Sequence, residues 1–287
     1  NAECRNNVAN GIGPLKQVND AFRTDDADVS QNNEIARIDQ VAVADNDCDQ
    51  TDAGDNQADC GNDAENVIST VTQDNKVSNA DLFTDVIQDN GAEFSQTVDL
   101  SNNCDQTTFG ASGENNQAEC FNSADNFVGP VDQDNFANAF DDSSIDQANN
   151  VDVTQNLVAD NTCDGTGTDT VDCFNTGPNG ADNGIESIVQ RSTATSSDTA
   201  VISQGNNAVI DQNMVLLNDC DEVNAGFNNA ECLNPDSKNF IGQITQTNTA
   251  TGEDSSTIDQ SNVIDITQNL QGTNDCDESG AGDNLAT

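Results

Sequence analysis

The chain has 287 residues, with 52 acidic side chains against 7 basic ones, a formal charge of −45 and an apolar share of only 33%. A surface this negative repels nucleic-acid phosphates and anionic membranes, and the absence of His removes the usual general base near pH 7 and the commonest metal ligand. No apolar run reaches the roughly 18 residues of a membrane-spanning helix, so neither a nucleic-acid partner nor direct membrane insertion is expected.

Such a composition alone would suit a disordered chain. The ten Cys oppose that reading, because they recur at alternating long and short gaps. In chain order they divide the sequence into five units: 1–59, 60–119, 120–172, 173–231 and 232–287. The units open at Cys4, Cys60, Cys120, Cys173 and Cys232, which are nearly evenly spaced. A near-constant period of this kind marks tandem repeats. An acid precedes every opening Cys, and Asp follows every closing Cys, at Asp49, Asp105, Asp164, Asp221 and Asp277. The chain starts at Asn1 with neither Met nor a signal peptide, which reads as a processed or excerpted product.

Paired Cys could hold zinc, but there is no Cys-x2-Cys and no His, so disulfides fit better. Disulfides imply an oxidising, extracellular setting, secreted or at the cell surface. Two pairings are open. One lies within units: Cys4–Cys48, Cys60–Cys104, Cys120–Cys163, Cys173–Cys220 and Cys232–Cys276. The other bridges the short loops as Cys48–Cys60, Cys104–Cys120, Cys163–Cys173 and Cys220–Cys232, with Cys276 joining Cys4 of another chain. Connectivity does not follow from sequence alone.

Each unit also contains the pattern apolar-x-Gln three times. Unit one has Gln17, Gln31 and Gln40; unit two has Gln73, Gln88 and Gln96; unit three has Gln133, Gln147 and Gln155. Unit four has Gln190, Gln204 and Gln212, and unit five has Gln246, Gln260 and Gln268. The residue two before each Gln is apolar in every case and mostly β-branched, which suits strands. Around the second and third Gln the alternation has period 2, the mark of a strand with one face in and one out. The amides share the parity of the apolar residues, so they point inward. Buried without partners, each would cost roughly 1–3 kcal/mol. Stacking the units in register removes that cost, because each amide then bonds the same amide one layer on, at a repeat of about 4.8 Å. The column Asn33, Asn90, Asn149, Asn206, Asn262 is expected to behave likewise. Two outward columns, Asp39, Ser95, Thr154, Asp211, Thr267 and Ser30, Ile87, Asp146, Ser203, Asp259, never place Asp on Asp, as stacked like charges require.

A short strand ending in Gln, then Gly-Asn or Asn-Asn, then a second strand ending in Gln resembles the curlin repeat. The nearest match runs from Ile202 through Gln204, Gly205 and Asn206 to Ile210 and Gln212; Ser256 to Gln268 is similar. The resemblance covers the Gln-ending strands of each unit, roughly half the chain. It implies a secreted protein of stacked β-arches that polymerises into extracellular amyloid-like fibres. The chain departs from curlin in its shorter Gln-to-Gln step, its much longer period and its Cys. Disulfide-bearing archaeal sheath proteins are a looser comparison.

Asp-, Asn- and Gly-rich loops link the units. Asp45, Asp47, Asp49, Asp52 and Asp55 offer oxygen ligands that suit calcium, although the EF-hand spacing is absent and the same acids are not expected to recur in other loops. Many carboxylates with nothing to organise them do not suggest an enzyme, and no cofactor is otherwise implied. The expected fold is all-β: a β-solenoid of stacked arches with Gln and Asn ladders, five repeat units of similar length, stapled by disulfides. The expected function is an extracellular structural protein that polymerises with itself, head to tail, into a cross-β fibre or sheath. Alternatives are a pilin-like β-sandwich subunit joined by strand exchange and a calcium-dependent surface adhesin. At the chain ends, the segment after Cys276 aligns with the loop after Cys48, and Asn1-Ala-Glu-Cys4 matches the tail of such a loop. Two readings follow: unit one stacks on unit five of another copy, or the 287 residues are an excerpt of a longer array with a further Cys beyond Thr287.

Overall fold

The computed structural model describes residues 2–24, 28–52, 57–80, 84–108, 116–140, 142–166, 169–175, 181–224, 228–280 and 284–286. Among these there is no helix. Layer one holds β1 (Ala2–Ile12), β2 (Leu15–Thr24) and β3 (Val29–Asp47), followed by the short β4 (Gln50–Asp52). Layer two holds β5 (Gln57–Ile68), β6 (Val71–Ala80) and β7 (Asp85–Thr108). Layer three holds β8 (Asn116–Val128), β9 (Val131–Ala139) and β10 (Ser143–Thr166). Layer four holds β11 (Asp169–Asn175), β12 (Asp182–Ser196) and β13 (Ala200–Asn224). Layer five holds β14 (Asn228–Leu233), β15 (Lys238–Thr251) and β16 (Thr257–Gly280), and β17 (Asn284–Ala286) follows.

Each layer is one arch. Its first two strands lie in one sheet and its long third strand lies in the other. All pairings run between layers, and all are parallel. Parallel in-register stacking excludes the pilin-like sandwich, whose sheets are antiparallel. Register puts like on like: Cys4 on Cys60, Gln17 on Gln73, Gln88 on Gln147 on Gln204 on Gln260.

Parity dictates burial. Along β10, inward and outward residues alternate for the whole length of the strand. Inside, apolar columns alternate with amide columns across the arch. One apolar group stacks Ala42, Val98, Leu157 and Met214. A second stacks Ile38, Phe94, Val153 and Ile210, packed against Val71, Val131 and Ile188 of the facing sheet. A third, near the arch tip, holds Val86, Ile145 and Ile202. The ten Cys form a fourth at the opposite edge. Register slips twice, between Ile35 and Ile38 in β3 and between Val77 and Ala80 in β6. Both are bulges, each carrying a residue that the next layer lacks.

Candidate functional site

Three features distinguish this stack from inert packing: its amide ladders, its disulfide edge and its open ends.

Every step of the three Gln columns is hydrogen-bonded, at 2.6–2.9 Å. In each, the Nε2 of the later layer donates to the Oε1 of the earlier one. The Asn33–Asn90–Asn149–Asn206–Asn262 column is bonded throughout, and there the earlier layer donates to the later. Further Asn columns run from Asn10 to Asn239 and from Asn46 to Asn274 with the same direction. Asn6, Asn62, Asn122 and Asn175 do the same, as do Asn19, Asn75 and Asn135, after which Ser192 takes the position. Gln and Asn ladders thus point opposite ways along the stack. Asn amides also bond across the sheets in a continuing spiral, Asn19 to Asn33 to Asn75 to Asn90 to Asn135 to Asn149. Spare Gln donors reach carbonyls of the facing sheet, as Gln155 does to Asn126 and Gly184.

Only the Asn33 column among the Asn ladders was expected. The others carried a signal of their own. Asn stands two residues before every closing Cys, and Asn6, Asn62, Asn122, Asn175 and Asn234 stand two after every opening one. Two-residue offsets from an inward Cys are inward positions.

At the edge, the structure joins Cys4–Cys48, Cys60–Cys104, Cys120–Cys163, Cys173–Cys220 and Cys232–Cys276, with Cα–Cα distances of 6.3–6.6 Å. The loop-bridging set Cys48–Cys60, Cys104–Cys120, Cys163–Cys173 and Cys220–Cys232 is not formed. Five disulfides are the chemistry of an oxidising, extracellular environment. No helix among the described residues is long and apolar enough to cross a membrane.

The separation of stacked Asp seen in two outward columns does not hold beside the Cys. Glu3, Asp59, Glu119, Asp172 and Glu231 form one unbroken acidic column. Asp105, Asp164, Asp221 and Asp277 form another on the opposite sheet. In-register stacking imposes this, because the residue flanking each Cys is carried into register with it. The carboxyls respond. Burial and then Glu231 and Glu119 push Asp172 up to about 6. Burial and then Asp182 push Asp125 up to about 6. Asp164 is raised by burial, then by Asp105 and Asp221. The few bases answer neighbouring acids: Arg191 reaches Asp132 and Asp134 at 3.0 and 3.1 Å, and Lys238 reaches Asp182 at 3.0 Å.

Of the calcium candidates, Asp45 and Asp47 point outward on β3, and Asp49 follows the strand, exposed. Alternate residues on one strand face are about 6.6 Å apart. The only groups of three or more ligand atoms within 4.8 Å among the described residues are of Cys, and those Cys are in disulfides. The side chain of Asp52, and Asp55 as a whole, lie outside the described residues. The set does not recur in layer two, where Ser101 and Asn103 stand opposite Asp45 and Asp47.

The inward face of β16 is uncovered. In layer four, Ile202, Ala208, Ile210 and Met214 are 1% exposed or less; their layer-five counterparts Ile258, Ile264, Ile266 and Leu270 are 43–53% exposed. Gln246 Oε1, the acceptor that a further layer's Gln would use, is buried without a partner. A further layer has in fact begun, since β17 pairs with β14 and sets Ala286 on Ala230. No protein-family model, no curated protein and no solved structure matches this chain.

Proposed function

We propose that the protein is an extracellular structural protein that polymerises head to tail into a cross-β fibre or sheath. The observation that supports this best is the open end of layer five. Its inward side chains belong to a core that every internal layer completes with the layer above it. Parallel pairing and oppositely directed ladders give the two end faces different chemistry. The upper face offers Gln acceptors and Asn donors, and the lower face offers Gln donors and Asn acceptors. The faces therefore match each other, not themselves. The likeness to curlin repeats points to the same class of assembly. Ladders and staples that run through every layer suit a structural role.

Electron microscopy and fibre diffraction of the purified protein test the proposal. The expected result is filaments with a strong meridional reflection near 4.8 Å. Monomers that remain monomers at high concentration, in low and high salt and at pH 4 to 8, would refute it. The mass after reduction then distinguishes stacked chains of 30.1 kDa from one longer array.

A further inference from the structure

In a chain with seven basic residues, four of them, Arg5, Lys16, Arg23 and Arg37, fall in unit one. Arg37 has an unusual position. It lies in the bulge of β3 between Ile35 and Ile38, facing outward opposite Glu93 of layer two. Its guanidinium contacts Asp39 of its own strand at 2.6 Å and Glu93 at 3.3 Å. Glu93 opens a vertical column that continues through Asp152 and Val209 to Asp265. The column thus ends on an exposed carboxylate at the upper face and starts on a guanidinium at the lower one.

A bulge with an outward charge on an edge strand blunts that edge against indiscriminate pairing. The same device accepts a partner whose facing edge carries the opposite charge at that point. Only layer five of a second copy does so within this stack. With unit one placed on unit five in the register that continues the ladders, Cys4 lies on Cys232, Gln40 on Gln268, and Arg37 over Asp265. The buried Gln246 Oε1 then meets the Nε2 of Gln17.

Resting on the reading above, we propose that Arg37 of one copy and Asp265 of the next form the ion pair that selects and registers the seam between protomers. Flanked by Glu93 above and Asp265 below, Arg37 sets a cation between two acids. This is a self-recognition site, with a second copy of this chain as partner. One place in the seam is contested. Ala2 of the incoming chain falls where Ala286 of β17 already sits. Among the described residues the overlap is confined to that position, because Glu3 and Cys4 fall on Glu231 and Cys232, beyond the three residues of β14 that β17 covers.

The test uses the full chain as wild type, R37E, D265K and the double variant R37E/D265K, with monomer melting as a folding control. Asp265 is exposed, and D265K is expected to melt like wild type. R37E loses the contacts to Asp39 and Glu93 in its own chain and is expected to melt lower, as is the double variant. Elongation is therefore compared at a temperature where all four are folded. Seeded elongation is followed by scattering and microscopy at about 10 mM salt, where the screening length is about 30 Å. Each single variant is expected to raise the critical concentration about five- to tenfold, and the double variant to restore it to within about threefold of wild type. Seeds of R37E should extend with wild-type chains from one end only, and seeds of D265K from the other. Single variants that elongate like wild type, or a double variant no better than the singles combined, overturn the pair and leave the fibre standing. Wild-type protein that forms no polymer overturns both.

Discussion

Layers four and five have nearly the same inward pattern and pair residue for residue, yet they differ in physical state. The inner face of β13 is sealed, while that of β16 is open along its length. Ile210 and Ile266 are the same side chain in the same column. One is core and the other half-exposed only because a layer lies above the first. Burial in this fold is therefore a property of stacking order, not of residue type, and the arch alone does not supply a complete core.

Substitutions in matched pairs across the two layers sharpen the contrast. The largest effect is expected at Gln155, which donates to Gln96, accepts from Gln212 and also bonds two carbonyls. Gln155→Leu should destabilise the monomer by at least about 3 kcal/mol by orphaning several buried groups. Gln268→Leu, in the open layer, orphans one buried acceptor, on Gln212, and should cost only about 1–2 kcal/mol; guanidinium unfolding measures both. Next comes Met214→Ala, expected to cost about 2–5 kcal/mol through a cavity, against under about 1 for Leu270→Ala. In polymerised material that gap should close, because Leu270 becomes internal; a persistent gap would break the comparison. A pH effect follows in size. Asp125 and Asp172 hold their protons more tightly folded, near 6, than at the ordinary value of 3.8. Their contribution is complete below about 3.8 and is lost as pH rises through about 6. The melting temperature should therefore fall between about pH 4 and 6, and a flat profile there would contradict the raised values. The smallest effect is Asp211→Ser on the outer face, expected within about 0.5 kcal/mol of wild type.

Much of this was legible in the sequence because a strand converts parity directly into burial. Gln40, Gln96, Gln155 and Gln212 share the parity of their apolar neighbours, and all four are buried. Even the bulges had a trace. The Gln31-to-Gln40 step is one residue longer than its counterparts, and unit one bulges within it. The Gln73-to-Gln88 step is likewise one longer, and β6 slips there. What parity does not encode is the vertical neighbour. The two acidic columns beside the Cys follow from register across units. The choice between disulfide pairings also needed space, because spacing along the chain does not say which sheet a Cys occupies.

For copies that stack as proposed, the open faces have a consequence for length. A stack of any number of copies has only two ends, so the free energy lost there is shared by all its members. Each of the four half-exposed aliphatic side chains on β16 forfeits about 1 kcal/mol of burial. That loss is incurred once per polymer, and the share per copy falls as the reciprocal of copy number. Nearest-neighbour stacks of this kind behave as one-dimensional lattices. Short oligomers are then the disfavoured species, the length distribution is broad, and two fragments joining end to end recover a full interface at no cost in new ends. Shearing such a filament multiplies its growing ends, while quiet incubation lengthens it.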